Sequence, residues 1–188
     1  MKKMLFLLMA LGLAIPALKA QDVAPLTYSE VIQVDGVSKD ELYNRAKQWF
    51  VATYGDATKV IQNEDKESGI ITGKAISGTM FLGFFYTKKS GGFGRKTDEP
   101  MYGTARYTIT IAVKDGRYKY SVSDIYHEKW GLLPESFDNL DIPDAIKDTY
   151  GKAADRNGLK ESADAIFEKL ISSLKTGMSK PVPTEEDW

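Results

Sequence analysis

Cysteine is absent from all 188 residues of the chain. That excludes a disulfide staple, a thiol nucleophile and an acylated cysteine as membrane anchor, so stability must come from packing alone. Histidine is scarce as well. His127 is the single one, and no second imidazole or thiolate exists to complete the three or four ligands of a protein zinc site. Nor is there a surplus of one charge, with 25 lysines and arginines against 26 acids. A chain without a basic balance lacks the electrostatic footprint of general nucleic-acid binding, and no nucleic-acid partner is expected. No Gly-x-Ser-x-Gly elbow occurs. The glycine-rich stretch Ser90-Gly-Gly-Phe-Gly-Arg-Lys-Thr97 meets neither phosphate template. It has no Gly-Lys pair, and Thr97 stands where a dinucleotide loop needs its third glycine. A flexible hairpin tip accounts for those glycines.

What is present begins with the first twenty residues. Lys2 and Lys3 precede an apolar run from Met4 to Ile15, and Leu18-Lys19-Ala20 then meets Gln21. This is the layout of a secretory signal peptide, residues 1–20, with cleavage expected after Ala20. The run is too short to span a bilayer, which takes about 20 apolar residues. The expected product is exported, periplasmic or extracellular, with no transmembrane segment once the signal is removed. Losing Lys2, Lys3 and Lys19 leaves 22 basic residues against 26 acids, a mildly acidic domain.

The remainder reads as one α+β domain, residues 21–178, with a sheet core about 27–128 and a C-terminal helical part at 140–177. Thr27 to Val34 is a strand, with Leu26, Tyr28, Ile32 and Val34 on one face and Glu30 as the exception. Ser38 with Glu41 forms a capping box, and Val37 with Leu42 a hydrophobic staple, so a helix starts there. Leu42, Ala46, Trp49 and Phe50 make its apolar stripe and Gly55 closes it. Lys59 to Asn63 and Gly69 to Thr79 are expected strands joined by a turn over Glu64 to Ser68. Tyr107, Ile109, Ile111 and Val113 alternate with Thr108, Thr110 and Ala112. Asp115-Gly116 turns the chain, and Tyr118, Tyr120 and Val122 alternate with Lys119, Ser121 and Ser123. Asp-Gly between two such runs is a strong hairpin signal. One buried and one wet face make the sheet antiparallel and covered on one side.

Leu159, Ala163, Ile166, Phe167, Leu170 and Leu174 form a last helical stripe, with Gly177 as its expected end. Trp130 to Asn139 reads as irregular, and Pro143 marks a possible short helix start. Residues 179–188, with Pro181, Pro183, Glu185, Glu186 and Asp187, read as an acidic disordered tail. The expected architecture is an antiparallel five-stranded sheet covered on one face by two helices, in the order β-α-β-β-β-β-α.

Several of these segments taken together resemble a known family. They are Lys114-Asp-Gly-Arg-Tyr-Lys-Tyr120 followed by Asp124-Ile-Tyr-His-Glu128, Glu64-Asp-Lys-Glu-Ser-Gly-Ile-Ile-Thr-Gly73, and the Ser38-capped helix. The resemblance is to a bacterial family of exported proteins whose domain has no assigned function and a TATA-binding-protein-like fold, over roughly Tyr28 to Glu128. It implies fold and export. It brings no catalytic residues, and the fold name does not imply DNA binding.

The candidate sites are weighed on chemistry. His127 sits beside Glu128, but neighbours on a strand point to opposite faces, so the acid does not orient the imidazole. Asp98-Glu99 and Glu64-Asp65 are acids in turns, where hydration is the simpler account than glycoside hydrolysis. Catalytic, metal and cofactor-binding residues are therefore all expected to be none. The stretch from Met80 to Met101 is the most distinctive. Phe81, Phe84, Phe85 and Tyr86 run into Lys88, Lys89, Phe93, Arg95 and Lys96. It is either a strand buried under a helix with a basic turn, or an exposed aromatic and cationic contact surface. The expected role is a non-enzymatic binding module with that hairpin as contact surface for an envelope protein, a lipid or an anionic polymer. The alternative is a carrier of a small apolar ligand between sheet and C-terminal helix, walled by Tyr107, Tyr118 and Tyr120.

Overall fold

Ser38 opens the first helix as its side chain dictates. The hydroxyl accepts the backbone N–H of Glu41 at 3.2 Å, and helix α1 runs Lys39–Tyr54. Gly55, at φ 68°, donates its N–H to the Val51 carbonyl at 2.9 Å and stops it. The computed structural model in which this is seen describes residues 24–78, 80–85, 99–127, 131–133, 135 and 156–182. The expected signal segment, the helix start at Pro143 and residues 183–188 lie outside them.

Strand β1 (Tyr28–Gln33) precedes α1, and a one-turn helix α2 (Ala57–Val60) follows it. Next come β2 (Ile61–Asp65), β3 (Ile70–Ile76), β4 (Met80–Phe85) and β5 (Glu99–Gly103). The long hairpin β6 (Ala105–Lys114) and β7 (Arg117–His127) turns at Asp115-Gly116, with Gly116 at φ 72°. A short β8 (Gly131–Leu132) and helix α3 (Arg156–Ser179) complete the described elements. The main sheet is antiparallel in the order β1-β7-β6-β3-β2, with β8 paired to β7.

Both long helices lie on one face. Leu42, Ala46, Trp49 and Phe50 of α1 and Leu159, Ala163, Phe167, Leu174 and Met178 of α3 are buried. They meet Ile71, Tyr107, Ile109, Ile111, Val113, Tyr118, Tyr120 and Val122 from the sheet. Each fully buried Leu, Ile or Phe stabilises by about 1.5–3 kcal/mol, which is how a chain without disulfides holds this shape. A bulge keeps the pattern intact along β7. Asp124 takes φ 50°, and Thr108 faces Ser123 while Arg106 faces Tyr126, so two β7 residues oppose Tyr107. The extra residue resets the alternation and leaves Ile125 and His127 buried beyond Val122.

Four expectations are corrected. The segment from Lys59 begins as helix, because Asp56 binds the Thr58 hydroxyl and, at 3.0 Å, the Lys59 ammonium; such local bonding outcompetes the extended form. Gly177 does not end the last helix. That helix continues to Ser179, and Gly177 is instead the place where α3 touches Trp49. The strand from Gly69 stops at Ile76, where Ser77 takes the chain out of the main sheet. The main sheet has six strands rather than five, since β8 extends it, and β4 and β5 form a separate two-stranded sheet.

Candidate functional site

The distinctive hairpin leaves the main sheet at Ser77. Ser77 is buried, its N–H donates to the Ala105 carbonyl at 2.7 Å, and its hydroxyl oxygen accepts the Ala105 N–H at 2.8 Å. The same hydroxyl donates to the Gly78 carbonyl at 2.8 Å. A side chain here replaces a rung of the ladder, so the strands can leave the main sheet without orphaning backbone groups. Beyond it, Phe81 pairs with Tyr102, Gly83 with Met101, Phe84 with Pro100 and Phe85 with Glu99, with a bulge between Phe81 and Gly83. Pro100 fits this ribbon because β5 has no second neighbour among the described residues and needs no donor on that side. Helix α3 packs beside β4. Phe81, Phe84 and Phe85 therefore lie on β4; Tyr86, Lys88, Lys89, Phe93, Arg95 and Lys96 fall outside the described residues.

His127 is buried at the end of β7, in register with Ala105 and Gly131. Among the described residues no group of three or more metal-ligating side chains comes together, and no helix is long and apolar enough to cross a membrane. Of the tyrosines expected to wall a ligand cavity, Tyr107 and Tyr120 are hydrogen-bonded and Tyr118 is buried. Tyr107 packs edge-on against Phe167 with centroids 5.3 Å apart, and its hydroxyl lies 2.9 Å from that of Tyr54. Tyr28 also packs on Phe167 and donates to Asp164 Oδ1 at 2.7 Å. Burial, then the carboxylate beside it, pushes the Tyr28 hydroxyl well above the usual phenol range. Tyr120 donates to Glu30 Oε2 at 3.0 Å, and Lys175 pairs with the same oxygen at 2.7 Å. Those two bonds hold the Glu30 carboxyl below its ordinary value, and they explain an acid on the inward side of β1. An open depression of about 630 Å³ runs past this cluster, lined by Tyr120, Ile171, Lys175 and Thr176.

A second surface was not anticipated. The face of the sheet opposite the helices is built in rows by the strand register. Across β1, β7, β6 and β3 one row reads Ser29, Ser121, Thr110 and Thr72. On one side lie Val31, Lys119, Ala112 and Ile70, then Gln33, Arg117 and Lys114; on the other lie Ser123, Thr108 and Lys74, then Tyr126, Arg106 and Ile76. Val31, Tyr126 and Ile76 are 52%, 46% and 61% exposed. The alternation of Thr108, Thr110, Lys119 and Ser121 was visible in the sequence. Their assembly into rows depends on pairings between distant strands.

This is an α+β protein with an antiparallel sheet covered on one side, and its geometry places it among proteins of TBP-like fold. The chain belongs to the family of a domain of unknown function, DUF4468, with TBP-like fold, which matches residues 28–128. A TBP-like protein from Parabacteroides distasonis ATCC 8503 superposes with a TM-score of 0.60 at 18% identity, covering 84% of this chain and 95% of that one. A DUF4468 family protein from Bacteroides ovatus ATCC 8483 gives 0.54 at 15% identity, covering 84% and 88%. At such identities the likeness is one of fold. No curated protein sequence matches the chain.

Proposed function

We propose that the protein is an exported, non-enzymatic binding module that meets an envelope partner through the hairpin of residues 80–101. The observation that carries this reading is the separation of β4 and β5 from the main sheet, on a root fixed by Ser77 and Ala105. Among the described residues β4 and β5 pair only with each other, so their outer backbone edges are open to a further partner. The hairpin's sequence combines aromatic residues with Lys88, Lys89, Arg95 and Lys96, a pairing suited to a protein or anionic surface.

The test compares the mature protein with a variant lacking residues 81–99 and a second variant with those four cations changed to serine. The second guards against damage where α3 packs on β4. Immobilised on beads and exposed to envelope extract, the variants lose partners that the parent retains. An identical partner set for all three ends the contact-surface reading. N-terminal sequencing of protein recovered from the periplasm or medium is expected to begin at Gln21; retention of Met1 in the cytoplasm ends the export reading.

A further inference from the structure

Among the described residues, the face of the sheet opposite α1 and α3 carries more cations than acids; Asp65, in register with Ile70 at its β2 edge, is turned to the Glu67 and Ser68 amides. Six ion pairs lie on the helical side, along its edges or in the connecting turns: Arg45 with Glu41, Lys47 with Glu64, Lys59 with Asp56, Lys66 with Asp40, Lys160 with Asp164 and Lys175 with Glu30. None of Lys74, Lys114, Arg117 and Lys119, all exposed on the outer rows, makes an ion pair among the described residues. In an acidic protein, unpaired cations gathered on one face leave a local positive potential that attracts anions.

Between those cations runs the row of hydroxyls. Adjacent strands are about 4.8 Å apart, so Ser29, Ser121, Thr110 and Thr72 span about 14 Å. Thr72 and Thr110 lie 3.2 Å apart and bond each other, while each hydroxyl oxygen keeps capacity for another partner. A row of groups that both donate and accept suits a ligand with hydroxyls and ring oxygens of its own. Lys119 on one side and Lys74 on the other then stand one row away, placed for carboxylates or sulfates. Tyr126 presents a partly exposed ring at the far end of the face.

We propose that this face binds an acidic glycan, a linear polymer of uronic-acid or sulfated sugars laid across the strands along the hydroxyl row. It lies on the opposite side of the sheet from α1 and α3, the latter of which packs beside β4 and the hairpin, so the two surfaces can succeed or fail separately. Discrete sugar hydroxyls and spaced charges match alternating hydroxyls and lysines better than a continuous phosphate backbone does.

The test is affinity of the mature protein for oligogalacturonate, with neutral dextran and duplex DNA as comparisons. Binding to the uronate that weakens several-fold from 50 to 300 mM salt is expected, as screening requires, with dextran unbound. Lys74→Glu with Lys119→Glu weakens it at least tenfold, and Thr110→Val weakens it without changing the salt dependence. Lys160→Glu, on the helical side, leaves it unaltered. Circular dichroism of the charge-reversed protein matches the parent, because both side chains face water. Unchanged affinity in that variant, equal binding of dextran, or tighter binding of DNA than of the uronate overturns the assignment.

Discussion

Gly177 lies so close to the indole of Trp49 that a Cβ at 177 would stand 2.9 Å from Trp49 Cδ1 and 3.2 Å from its Cβ. The contact joins α3 to α1, and Ser173, one turn earlier, accepts the Trp49 Nε1 proton at 3.1 Å. Gly177→Ala thus sets two effects against each other. Alanine favours a helix interior by about 1 kcal/mol over glycine. Overpacking against a buried ring that is fixed by its own hydrogen bond costs about 1–3 kcal/mol. A net loss is expected, read as a lower urea midpoint with unchanged slope. A higher midpoint would mean that the helices separate freely at this point.

The same glycine shows where the sequence is legible and where it is not. Ser38 with Glu41 and Gly55 defined α1 correctly because caps are local chemistry, and Asp115-Gly116 defined the β6–β7 turn for the same reason. Gly177 carries the same letter as a helix stop, but its role is set by a partner 128 positions away. The bulge at Asp124 has no marker, since aspartate is only one of the residues that tolerate positive φ. In the candidate site, the aromatic and cationic composition of residues 80–101 could be read directly. That β4 and β5 leave the main sheet could not, because it turns on the Ser77 hydroxyl reaching Ala105. The outer rows escaped for a related reason: a row crosses strands, and no window along the chain contains one.

Ser77→Ala tests that root. The substitution removes the acceptor of the Ala105 N–H and leaves a buried donor without its partner, which costs about 1–3 kcal/mol. Amide exchange at Ala105 should accelerate more than at Ile109 or Ile111 in the middle of β6. Uniform acceleration across β6 would show that Ser77 supports the whole sheet rather than the departure of the hairpin.

Tyr107→Phe isolates a hydroxyl in the core. It keeps the ring against Phe167 and removes only the oxygen that meets Tyr54. The expected cost is about 1 kcal/mol, the net value of a neutral hydrogen bond plus part of the desolvation of the stranded Tyr54 hydroxyl. Tyr54→Phe in the Tyr107→Phe background should cost less than it does alone, since the partner is already gone. Additive losses in this double-mutant cycle would show that the two hydroxyls are not coupled.

Acid should loosen the domain through Glu41 before it reaches the core. Glu41 Oε1 accepts Arg45 Nε at 2.8 Å and the Val182 N–H at 3.2 Å, and Arg45 is itself buried and donates to the Met178 carbonyl at 3.0 Å. The Arg45 guanidinium first, and the Val182 amide after it, hold the Glu41 carboxyl below its ordinary value of 4.5. A carboxylate with a lowered folded-state pKa binds protons more readily when unfolded. Its contribution is therefore complete above about pH 5 and is lost as pH falls through 4.5 and then through the folded value. Asp56 and Asp65 are shifted in the same direction by their hydrogen bonds and add to the slope. Glu41→Gln should cost about 1–2 kcal/mol at pH 7, a charge-assisted bond discounted for partial exposure. Urea titrations at pH 7 and pH 3 should show that gap narrowing as the parent protonates. A gap of equal size at both pH values would mean that Glu41 acts through shape alone, and that the joint between α1 and the end of α3 is not electrostatic.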